Sequence, residues 1–152
     1  MNSSVKTIIT LALFFSFVSV VTLLNEPDSS ITDGKQCELG DSLSCRFSQI
    51  NDNSQQVIVK FVEKVQVEEQ NEVIVTLPAD ASLDDVWIQG VNMFMGKVAV
   101  LAQSSNEQNV HNLQFFLGAC SEANMRWQFV LAIKKASDAK PETYFINFKT
   151  TI

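Results

Sequence analysis

The chain has 152 residues, 46% of them hydrophobic, with 17 acidic and 11 basic side chains and a net charge of −6. That length allows one domain able to bury a workable core, plus an appendage. Residues 26–152 hold all 17 acids and 10 of the 11 bases, a net charge of −7. A surface of that sign repels phosphate backbones, which argues against a nucleic-acid partner.

The appendage comes first. Residues 1–6 form a short tail carrying Lys6, and Thr7 to Leu24 reads TIITLALFFSFVSVVTLL without a charge. This run approaches the ~20 apolar residues that cross a bilayer. It exceeds the ~7–15 residues usual for the apolar part of a cleaved signal. No A-x-A-like cleavage site follows it, and no cysteine lies close enough for lipid attachment. Residues 7–24 therefore read as an uncleaved membrane anchor, with a cleaved signal as the alternative. Lys6 and the amino terminus flank one side, and Glu26, Asp28 and Asp33 the other. Positive flanks stay cytoplasmic, which places the carboxy-terminal part outside. Residues 25–36, NEPDSSITDGKQ, have the composition of a linker. Residues 37–152 then make up the outer domain.

Cys37 and Cys45 stand eight positions apart in QCELGDSLSC. In an oxidising compartment such a pair predicts a small disulfide loop. A zinc knuckle is the alternative, but it calls for closer cysteines and further ligands. Cys120 is left as an odd thiol.

After the cysteine loop the apolar pattern has period two. Val57, Val59 and Phe61 alternate with Ile58, Lys60 and Val62, and Val73, Val75 and Leu77 follow a polar break. Further runs cover 86–91, 97–102 and 110–117. Met125, Trp127, Phe129, Leu131 and Ile133 share one face, and Tyr144, Ile146 and Phe148 another. Alternation of this kind sets one strand face on a core and the other in water. About seven short strands at such spacing predict an all-β immunoglobulin-like antiparallel sandwich, with Trp127 a natural core anchor. A small barrel is the alternative.

The residues argue against catalysis. His111 is the single histidine and lies on an alternating strand. There is no nucleophile elbow, no zinc-protease motif and no glycine-rich phosphate loop. Asp84 and Asp85 in SLDDVW read as a charged turn.

Sulfur is distributed differently. After the initiator, the methionines are Met93 and Met95 in VNMFMGKVAV, and Met125 five residues after Cys120 in GACSEANMRW. Residues two apart on a strand project from one face, about 7 Å apart at their Cα atoms. Thioethers and thiolates are soft ligands that select Cu(I). Met93, Met95, Cys120 and Met125 are accordingly candidate Cu(I) ligands, with Phe94 and Trp127 as candidate walls, since a cation can rest on an aromatic face. Core packing is the competing explanation, because methionine fills irregular gaps and free cysteine is often buried.

Three features occur together here: C-x-L…S-C around Cys37 and Cys45; a G-x-N-M-x-M-G turn at Gly90, Asn92, Met93, Met95 and Gly96; and a C-x(4)-M-x-W strand start at Cys120, Met125 and Trp127. With the amino-terminal anchor, the combination resembles a group of small bacterial membrane-anchored proteins. The resemblance spans roughly residues 37–135. That group is associated with Sco-type copper chaperones and cytochrome oxidase maturation. A looser resemblance is to FixH-type assembly proteins, which pair one membrane helix with an immunoglobulin-like outer domain. The resemblance implies an inner-membrane location with the domain in the periplasm. It also implies copper handling or oxidase assembly without enzymatic activity, and a copper chaperone or oxidase subunit as partner. The alternative from another class is a metal-free interaction domain that docks to an envelope partner.

Overall fold

The computed structural model describes residues 35–49, 52–104, 107 and 109–151. The expected tail, membrane anchor at 7–24 and linker up to residue 34 lie outside these. Among the described residues, no helix is long and apolar enough to cross a membrane.

The domain is all-β. Among the described residues, nine strands follow in chain order: β1 Lys35–Glu38, β2 Ser44–Gln49, β3 Asp52–Phe61, β4 Gln70–Thr76, β5 Ala81–Gly90, β6 Lys97–Gln103, β7 Val110–Phe116, β8 Asn124–Lys135 and β9 Glu142–Thr151. Strands β3 to β9 are the seven legible in the period-two pattern. The count of about seven is corrected by β1 and β2. Their backbones hydrogen-bond to β9 and β3, although KQCE and SCRFSQ hold little apolar alternation to announce them. Lys35 and Gln36, read as linker, belong to β1. The all-antiparallel expectation is corrected at the same place, because β1 pairs parallel with β9, Lys35 opposite Tyr144 and Glu38 opposite Asn147.

The strand order is β1-β9-β8-β5-β6-β7-β4-β3-β2. β6 is the corner. Its first residues, Lys97 to Ala99, pair with β5, and Val100 to Gln103 pair with β7. The sheet therefore turns over on itself, and one layer (β2, β3, β4, β7) faces the other (β5, β8, β9). Aromatic rings fill the space between the layers. Phe61 on β3 meets Phe129 on β8 and Phe148 on β9, each with ring centroids 5.7 Å apart. Phe47 on β2 meets Tyr144 on β9 at 5.1 Å. The Phe61–Phe129 and Phe47–Tyr144 pairs are edge-to-face, an arrangement that adds to their burial energy. Val59, Val73, Val75, Ile88, Phe129, Leu131 and Ile146 are wholly buried around them, as the alternation required.

The loops gather at two ends. The connections at 62–69, 91–96 and 117–123 lie at one end, where the Glu68 amide donates to the Leu117 carbonyl at 2.7 Å. Those at 77–80 and 136–141 lie at the other together with Asn109, tied by Leu77 to Asn109 and Ala136 to Asp80.

A candidate soft-metal centre between two loops

Strand β5 ends where Gly90 stands opposite Trp127 of β8. The Val91 amide still donates to the Arg126 carbonyl at 2.8 Å. The ladder is then continued by a side chain. Asn92 Oδ1 accepts from the Arg126 amide at 2.8 Å, and Asn92 Nδ2 donates to the Asn124 carbonyl at 3.0 Å. An asparagine amide carries one acceptor and two donors, so it can replace a peptide group while the main chain leaves the sheet. This is the physical use of Asn92. It is not among the non-glycine residues with positive φ, whereas Gly96, which closes the turn, has φ of +68°.

Gly90 fits the same device. A Cβ there would collide with the Met93 backbone carbonyl and stand 3.1 Å from Met125 Cε. The turn folds down onto Gly90, with Met125 packed beneath it. The hydrogen of a glycine is what permits that approach.

The second loop leaves β7 after the buried Leu117 and brings Cys120 alongside the turn. The Cys120 thiol donates to Met93 Sδ at 3.1 Å and lies 3.7 Å from Met95 Sδ. All three residues are half-buried and pack against the core. The thiol meets two thioethers, from residues 27 and 25 positions away in the chain. Cys120 is a free cysteine, while Cys37 and Cys45 form the disulfide that their spacing predicted, with Cα atoms 6.1 Å apart.

The other predicted site residues are placed differently. Met125 is 2% exposed and belongs to the core beneath the turn. Trp127 is 1% exposed, and its indole N–H donates to Thr150 Oγ1 at 2.9 Å, so its ring packs in the core. Phe94 stands 94% exposed at the tip of the turn. His111 lies on β7 opposite Val75, at the other end of that strand from the Cys120 loop. Among the described residues, no group of three or more His, Cys, Asp or Glu side chains is placed to hold a metal ion. A candidate centre in this domain therefore depends on thioether sulfur.

The spacing suits a soft cation. Metal–sulfur bonds of about 2.3 Å set the sulfurs of a three-coordinate site about 4 Å apart. The 3.7 Å pair is close to that separation, and the 3.1 Å pair must open by about 1 Å, within the range of methionine's rotatable bonds. Sequence reasoning found the sulfurs and missed how the turn is held. The G-x-N that precedes them was the available signal, glycine for close approach and asparagine for the bridge to β8. Comparison of the chain with family models, with curated proteins and with solved structures returned no match.

Proposed function

We propose that this chain is a non-enzymatic, membrane-anchored periplasmic protein of the bacterial inner membrane that handles Cu(I) or assists assembly of a respiratory oxidase. Met93, Met95 and Cys120 are its donors, and Met125 is a fourth candidate beneath the turn. The observation that carries this reading is the meeting of one thiol and two thioethers within 3.7 Å at the loop end of the domain. Soft donors of this kind select Cu(I) over harder ions. The fold is consistent with an immunoglobulin-like outer domain. Strands β3-β4-β7-β6 facing β5-β8-β9 reproduce the A-B-E-D and C-F-G order of that architecture, with β1 and β2 added.

A second reading is supported by the surface. Phe94, Leu101 and Phe116 are 94%, 67% and 55% exposed. Exposed aromatic and apolar side chains are the usual anchors of protein interfaces. On that reading the domain is metal-free and docks to an envelope partner.

The test uses the full-length protein, purified with the Cys37–Cys45 disulfide intact and Cys120 as a free thiol, and offered Cu(I) against a competing chelator. The parent is compared with the Met93→Leu, Met95→Leu double variant. Leucine conserves volume, so a packing role predicts a stability cost below about 1.5 kcal/mol and nothing else. The copper reading predicts that Cu(I) binding is lost at that same small cost. A parent protein that takes up no Cu(I) leaves the interaction domain as the function.

A further inference from the structure

The donor set invites a count of charge. The thiol of Cys120 becomes one negative charge when it binds a metal, and the thioethers of Met93 and Met95 are neutral in every state. Both hydrogen-bond partners of the thiol are these thioethers. The three side chains are half-buried against the hydrocarbon core, where an unbalanced charge is costly. The imidazole of His111 is a strand's length away on β7, and its strand partner is Val75.

Building on the copper reading, we propose that this centre selects by charge as well as by softness: it takes monovalent closed-shell cations, Ag(I) equally with Cu(I), and rejects divalent ions, Zn(II) included. One thiolate matches a monovalent ion and the complex is neutral. A divalent ion at the same three sulfurs leaves one uncompensated positive charge in a half-buried site. The exchange balances simply. The Cys120 S–H bond breaks, a sulfur–metal bond forms, the proton passes to solvent, and no electrons change hands. Softness alone does not make this distinction, because thiolates bind Zn(II) well wherever two or more of them converge. A neutral complex also suits a carrier, since loading and unloading leave the charge of the acidic domain unchanged.

The experiment offers Ag(I), Cu(I), Zn(II) and Co(II) separately to full-length protein in which the Cys37–Cys45 disulfide is intact and Cys120 is a free thiol. It reads stoichiometry by native mass spectrometry and affinity by chelator competition. One Ag(I) is expected per chain, displaceable by Cu(I), with Zn(II) and Co(II) held about 1,000-fold more weakly. Two variants move the count. Met95→Cys supplies a second thiolate and is expected to raise Zn(II) affinity by about 100-fold or more. Cys120→Met removes the only thiolate and is expected to weaken Ag(I) by a similar factor. Thermal unfolding of each variant shows whether it folds, and the parent's ratio of Ag(I) to Zn(II) affinity decides the matter if a variant does not. Parent protein that binds Ag(I) and Zn(II) with equal affinity overturns charge selection and leaves the copper reading standing. A parent that binds neither Ag(I) nor Cu(I) removes both.

Discussion

Tyr144 is the single tyrosine of the chain and is 1% exposed. Its hydroxyl donates to Glu142 at 2.5 Å, and Lys35 lies 5.2 Å from its ring centre and 3.3 Å from the same carboxylate. Burial pushes its phenol well above the ordinary value of 10.0, and the hydrogen bond to Glu142 and the charges of Glu142 and Asp138 push the same way. Raising the pKa of an acid in the fold means that the native state holds its proton where the unfolded chain has lost it. The resulting stability is complete below pH ~10 and falls as pH rises further, since the native state then binds more protons than the unfolded one. The prediction is that phenolate absorbance stays absent as pH passes through 10 and appears together with unfolding. Tyr144→Phe should flatten that alkaline decline in stability, at some cost in the lost hydrogen bond. A phenol that titrates near 10 with the fold intact contradicts this.

Among the elements, β1 and β2 change the account most. They stand at opposite ends of the strand order, and the disulfide from Cys37 to Cys45 joins them. The bond therefore closes the seam between the two layers. Closing a loop of about nine residues stabilises by roughly 2.5 kcal/mol in the chain-entropy model. Replacing both cysteines, Cys37→Ala with Cys45→Ala, should lower the thermal midpoint by about 10 °C. An unchanged midpoint would mean that the β1–β9 ladder and the Lys35 contacts hold the seam unaided. The spacing of the cysteines made their pairing legible. Their strands were not legible, because short edge segments are held by backbone hydrogen bonds to neighbours more than by an apolar face of their own. At the site, GVNMFMG pointed to a turn that presents two thioethers. Its fastening to β8 through the Asn92 amide was invisible, since nothing in a sequence says which carbonyl an amide will meet. Trp127 and Met125 were assigned to the site as well as to the core by the same pattern, and burial places both in the core.

At the scale of the whole chain, the proposed function depends on where the acidic domain is held. The charge-free run at 7–24 and the flanks around it predict a membrane-tethered protein with the domain outside. Full-length protein should sediment with membranes, withstand alkaline carbonate and be released by detergent, and protease added from the outer side should reach the domain. Recovery of a soluble form that begins near Leu23 would replace the anchor by a cleaved signal. The sequence by itself determined an all-β domain, seven of its strands, the Cys37–Cys45 bond and the acidic surface. Each of these follows from local period, composition or short spacing. Only the tertiary structure decided the strand order, the parallel pairing of β1 with β9, the turnover at β6 and the meeting of Cys120 with Met93 and Met95. The β1–β9 pairing and the sulfur contacts join residues 25 or more positions apart, and these contacts, like the turnover at β6, are set by strand register and layer packing, which no local pattern encodes.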